Sequence, residues 1–132
     1  MKAWTLDDTD SYFKFLCAKI PYAHTWGGSD REKREEIRRA VAPSFPLNIP
    51  PARWWALRLY TRKRGDDWDI ENIPKLVVDA FSKDQIGKDR SAYPEVGLFA
   101  YDTIDYVRIV QVAGEPRSDE DSTIVEIFGA KP

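Results

Sequence analysis

The segment Asp67-Trp68-Asp69-Ile70-Glu71-Asn72-Ile73-Pro74-Lys75-Leu76-Val77-Val78-Asp79-Ala80-Phe81 gathers four carboxylates, one amide and one ammonium within fifteen residues. Asp69 and Glu71 fall where the chain turns from a loop into a helix, and oxygen ligands converging there suit a hard cation such as Mg²⁺, with Mn²⁺ as a substitute. Lys75 follows Glu71 at i+4 and Asp79 follows Lys75 at i+4, which stacks the three side chains along one stripe of the helix. Ile73, Leu76, Val77, Ala80 and Phe81 trace the spacing of a core-facing surface on that helix. A helix anchored by its apolar side and edged with carboxylates and an ammonium is suited to metal-dependent phosphoryl transfer. The same residues have a plainer reading. Acids favour the positive end of a helix dipole, and Glu71–Lys75–Asp79 can be a solvated ion-pair ladder worth about 0.2–0.5 kcal/mol per pair. Asn72 either caps the helix or orients a carboxylate.

Other elements must position this helix. A strand over Trp54–Arg62 precedes it, with Trp55, Leu57 and Leu59 on one face. Pro74 is tolerated only near a helix start, so the pattern predicts a helix from about Ile73 to Ser82 with Asp69–Asn72 at its mouth. Upstream, Thr5 and Asp8 are candidate caps for a short helix reaching Ile20, although a strand fits part of that stretch. Ser29-x-x-Glu32 is a capping box for a charged helix from about Asp30 to Ala42. Of that helix only Ile37, Ala40 and Val41 read as buried, and the rest as a solvated face. Four prolines between Ala42 and Pro51 predict an extended connector. Lys83–Pro94 reads as a polar loop, Gly97–Tyr101 as a short strand, Ile104–Val112 as a strand, Gly114–Asp121 as a turn region and Ser122–Phe128 as a last strand. The sum is α+β: a single domain over residues 1–132 with a mixed sheet of three or four strands and helices packed on it.

A length of 132 residues fits one core, and 42% hydrophobic with 32% charged residues reads as a soluble globular chain. The net charge of −2 argues against a large non-specific DNA surface but not against a local one. Aromatics read first as core and second as base-stacking surfaces. The lone Cys17 excludes an intramolecular disulfide and a cysteine zinc site, and reads as a buried small hydrophobe. The only histidine, His24, reads as a hydrogen-bonded loop residue. No membrane span or signal peptide is visible, so a cytoplasmic protein is expected.

Asp69-x-Glu71-Asn72-x-x-Lys75-x-x-x-Asp79-Ala80-Phe81 resembles the D-x-D-N-x-x-K-x-x-x-D-A-L/F signature of the RusA family of Holliday-junction resolvases. The second acidic element of that family is similar to Tyr101-Asp102-Thr103-Ile104-Asp105-Tyr106-Val107-Arg108, with Asp102 at the second acidic position. The resemblance spans about residues 53–113, while residues 1–50 show no family pattern. It departs at Glu71, where the family has Asp, at Tyr101, where the family has the first Asp of a pair, and in a longer Ser82–Gly97 connection. The resemblance implies a RusA-like fold and a Mg²⁺-dependent endonuclease for branched DNA in recombination or repair, acting as a homodimer and of phage or prophage character. Asp69, Glu71 and Asp102 would hold the metal, Lys75 would sit by the scissile phosphate, and Asp79 would fix Lys75. Asp105 is a reserve ligand, and Arg62, Lys63 and Arg64 would give DNA a basic approach. Two other classes stay open. The departures at Glu71 and Tyr101 allow a degenerate member that binds nucleic acid without cutting, and a merely solvated acidic helix edge allows a phage or prophage structural or interaction module.

Overall fold

A computed structural model of the chain describes Leu6 and residues 11–21, 28–65 and 70–132. Asp69, His24 and the start of the first expected helix lie outside the described residues. The chain forms a single-domain α+β fold, with one mixed four-stranded sheet and, among the described residues, three α-helices. The strands are β1 (Tyr12–Ile20), β2 (Trp55–Arg62), β3 (Val107–Glu115) and β4 (Ser122–Ala130), in the order β1-β4-β2-β3. Only β2 and β3 pair in parallel, which requires a long crossover between them. That crossover holds α2 (Asn72–Ala80) and α3 (Lys83–Asp89), while α1 (Asp30–Val41) precedes β2.

The expected helix running to Ile20 is instead strand β1. From Leu16 to Ile20 burial alternates residue by residue, with Leu16, Ala18 and Ile20 inside and Cys17 and Lys19 outside. That period of two is a strand signal, and it overrides the helix propensity of the stretch. Cys17 is accordingly exposed rather than buried, because it shares the outward parity of Lys19. A register shift between Lys14 and Leu16 lets Phe13, Phe15 and Leu16 all join the core cluster. Phe13 then lies across the strand pair from Gly129, where a Cβ would overlap its ring, and meets Trp55 edge-on with centroids 5.9 Å apart.

One sheet face packs Leu57, Leu59, Val125 and Ile127 against Ile37 and Val41 of α1 and Ile73, Leu76 and Val77 of α2. The other face carries Leu6, Ala56 and Phe128, flanked by Tyr12 and Trp54. There Glu126 joins Lys14 at 2.8 Å and Arg58 at 2.9 Å, and both cations lie over the Phe128 ring. In the sheet interior Thr61 and Thr123 sit in register and share a hydroxyl hydrogen bond of 3.0 Å, so neither is left unpaired.

Ser29 caps α1 as its spacing predicts, accepting from the Glu32 N–H at 3.2 Å. The face of α1 is not simply solvated, however: Arg38 is fully buried, more so than Ala40. Residues read as a polar loop form α3, whose cap Ser82 accepts from Gln85 N–H. The strand expected over Gly97–Tyr101 is reduced to a single parallel bridge between Ser82 and Phe99. The following strand starts three residues later than expected, at Val107, and leaves Ile104 in an exposed turn. Among the described residues no helix is long and apolar enough to cross a membrane.

Candidate active site at the motif helix

Helix α2 begins at Asn72, so Pro74 sits in the first turn, where its missing N–H has no acceptor to lose. Glu71 occupies the capping position without a side-chain cap bond, and Asn72 is the first helical residue rather than the cap. The apolar stripe behaves as its spacing predicts, with Ile73, Leu76, Val77, Ala80 and Phe81 all buried. On the edge of that stripe, Lys75 Nζ lies 3.4 Å from Asp79 Oδ2, and the lysine side chain remains 77% exposed. A cleft of about 300 Å³ separates α1 from this edge. Glu71, Asn72, Lys75 and Asp79 line it from α2, and Asp30, Lys33 and Arg34 from α1.

Asp102 comes to the same helix from beyond α3. The carbonyls of Phe99 and Ala100 accept from the Lys83 and Asp84 N–H groups at 2.9 and 3.1 Å, satisfying donors that the first turn of α3 leaves open. Leu98 N–H donates to Phe81 O at 2.9 Å. These bonds lay residues 98–100 along the α2–α3 corner and deliver the Asp102 carboxyl within hydrogen-bonding reach of Asp79. Burial pushes the Asp79 carboxyl above the usual carboxylate range, and the Asp102 contact adds to it, with Lys75 opposing both. Two carboxyls crowded together with one ammonium are a local excess of negative charge. Asp102 lies in the loop before β3 rather than on a strand, and Asp105 lies in an exposed turn.

The structure thus brings Glu71, Lys75 and Asp79 to one cleft edge and Asp102 to Asp79. Among the described residues no group of three or more His, Cys, Asp or Glu side chains is placed to hold a metal ion. The donor chemistry nevertheless fits Mg²⁺, which is commonly held by one or two carboxylates while substrate oxygens and waters complete its shell.

The basic run at the end of β2 is engaged with the β3–β4 turn, with Lys63 buried and Arg64 exposed. Arg62 pairs with Glu120 at 2.7 Å, Glu115 at 3.3 Å and Asp119 at 3.4 Å. Lys63 is buried, and Arg64 Nε donates to the Asp119 carbonyl at 3.2 Å. These three residues tie β2 to the β3–β4 turn, and exposed cations near the acidic pair include Lys75 and Lys88.

Sequence reasoning missed Arg38, which fixes the end of α2. Its Nε donates to Ala80 O at 2.8 Å and its Nη2 to Asp79 O at 3.4 Å, placing a cation at the negative helix terminus. Its Nη1 lies 3.0 Å from Asp89 Oδ2, and Arg34 grips both Asp89 oxygens at 2.8 Å. The only local signal is that Arg34, Arg38 and Val41 share one helical stripe; the partner Asp89 is remote in sequence. Compared with known proteins, the chain matches no family model and no curated protein.

Proposed function

We propose that the chain is a metal-dependent endonuclease of the RusA type that cuts branched DNA, working in the cytoplasm as a homodimer in recombination or repair, with a phage or prophage origin. The observation that carries this reading is the meeting of two acidic elements, Asp102 and the α2 edge, at an exposed lysine. A solvated ion-pair ladder accounts for Lys75 beside Asp79, but it gives no reason for a second carboxyl to approach a buried aspartate.

In this reading Asp69, Glu71 and Asp102 hold the cation. Bound Mg²⁺ would supply an activated water and offset charge on the phosphate. Asp79 orients Lys75 through their 3.4 Å contact. The Lys75 ammonium faces solvent, where a phosphate can reach it, and there it would balance the negative charge that grows as the phosphodiester is attacked. Asn72 lies beside Glu71 at the cleft and can orient its carboxylate. An active enzyme would have a backbone adapted to the longer arm of Glu71, and Glu71→Asp should then lower activity. Misplacement of about 1 Å costs such a site roughly 10²-fold.

The test is cleavage of a synthetic four-way junction, a flap and a linear duplex with Mg²⁺, comparing the native chain with Glu71→Asp. Mg²⁺-dependent cutting of the branched forms, reduced in the variant, supports the reading. A gain in rate for Glu71→Asp would mean that the site is weakened by that residue. Binding without cutting by either form would replace the nuclease reading with a nucleic-acid-binding one.

A further inference from the structure

Tyr101 stands where the resemblance would put another acid, and it is 52% exposed. Tyr106 and Ile104, on the same turn, are 37% and 75% exposed. The two tyrosine rings are tilted by 52° with centroids 6.4 Å apart. The turn that holds them out is pinned at both ends. The Tyr106 and Val107 N–H groups donate to Thr103 O at 2.9 and 3.0 Å, and Arg108 Nε donates to Ile104 O at 3.1 Å. Upstream, Ala100 is bonded to the first turn of α3. Three large apolar side chains are therefore kept in water by a fixed backbone, directly beside Asp102. A partner with a flat apolar face would meet them with little further ordering cost.

We propose that Tyr101 and Tyr106 form a stacking platform for an unpaired nucleobase at the edge of the acidic site. This inference rests on the nuclease reading and deepens it: the favoured substrate is DNA with bases exposed at an opening or branch, not continuous duplex. Base–aromatic stacking tolerates any sequence, because every base has a π face. A patch of three side chains is far smaller than the roughly 1,000 Å² that a stable protein interface buries. A neighbouring cation also suits a phosphate backbone, since Lys88, exposed and paired with Asp84 at 3.0 Å, lies within electrostatic range of Tyr101 and Asp102.

The experiment measures binding of the full chain, without divalent metal, to three oligonucleotides: a single strand and a four-way junction, each with 2-aminopurine at an unpaired or branch position, and a continuous duplex. Native chain, Tyr101→Ala and Tyr101→Phe are compared, with circular dichroism as the check on folding. Tyr101→Ala should weaken binding to the single strand and junction by about 5- to 100-fold and remove the fluorescence change. It should leave duplex affinity alone, and Tyr101→Phe should bind like the native chain. Equal binding by Tyr101→Ala, or an equal loss on duplex, overturns the platform. So does dissociation of a dimer in Tyr101→Ala without change in DNA affinity, which would make the turn an interface between copies. Native chain that stacks the base yet never cuts with Mg²⁺ sinks the nuclease reading and leaves the platform. Native chain that cuts branched DNA while Tyr101→Ala cuts it equally well does the reverse.

Discussion

Asp89→Asn tests the contact that locks α3 and the end of α2 onto α1. The Asp89 side chain is only 5% exposed. It accepts from Arg34 Nε and Nη2 and from Gln85 Nε2, each at 2.8 Å, and meets Arg38 Nη1 at 3.0 Å. Burial alone would raise its carboxyl, but the hydrogen bonds from Arg34, Gln85 and Arg38 and the charge of Arg34 overcome burial and hold it at about 2, against 3.8 for an ordinary aspartate. A folded-state value below the unfolded one contributes stability above pH 3.8 that is lost as pH falls toward 2. The displacement corresponds to about 2 kcal/mol. Asparagine keeps the volume but removes the charge, leaving the fully buried Arg38 guanidinium with Glu35 at 3.3 Å as its remaining carboxylate. Removing one partner of a buried pair costs about 3–5 kcal/mol, and Glu35 points to the lower end. Urea denaturation at pH 7 should therefore show a loss of about 3 kcal/mol, and the melting temperature should fall by roughly 10 °C. Between pH 4 and 2 the native chain should lose stability that the variant does not have to lose. A loss below about 1 kcal/mol at pH 7, or the same acid slope in both forms, would refute this account of the network.

Asp79→Asn should act in the opposite direction. A raised carboxyl makes the native chain lose stability as pH climbs past the ordinary aspartate range, so the variant should be more stable at pH 7 and the gap should close below pH 4, as read by urea titration. Gly129→Ala should destabilise by about 1–3 kcal/mol, because its methyl would overlap the Phe13 ring in the sheet, and thermal melting reports it. Under the nuclease reading, Lys75→Ala should fold and bind Mg²⁺ normally while turnover falls about 10²-fold or more in single-turnover assays. Asp102→Asn should abolish saturable Mg²⁺ binding in calorimetry; unchanged binding would remove Asp102 from the metal site.

The elements carried by an apolar period or a clear capping box were legible in the sequence: α1, β2, α2 and β4 lie where their patterns put them, within a residue or two. Those resting on tertiary partners were not. Helix α3 has one buried apolar residue, Ile86, and is held by caps and by Asp89 gripping α1. Its Ser82-x-x-Gln85 box was nonetheless a readable start signal. The aromatic start of β1 masked an alternation that begins only after its register shift. Within the site, the stripe Glu71–Lys75–Asp79 follows from helical geometry alone. The approach of Asp102 depends on carbonyls of Phe99 and Ala100 seeking the open donors of α3, a helix whose polar segment reads as a loop. The same gap hid the reason for a buried Arg38.

Two aspartates ten residues apart show how the fold apportions charge. Asp89 receives two guanidiniums and an amide and titrates at about 2. Asp79 is nearly as buried, yet its carboxyl is pushed upward, with Asp102 as a neighbour and a largely exposed lysine as its counter-charge. A cation was within reach: Arg38 Nη2 approaches the Asp79 carbonyl, but Arg38 is directed to helix carbonyls and to Asp89. Stability alone would favour neutralising Asp79 in the same way. An acidic pair left short of positive charge, at the edge of a cleft and beside an accessible ammonium, is instead what a site needs if a divalent cation and a phosphate are to complete it.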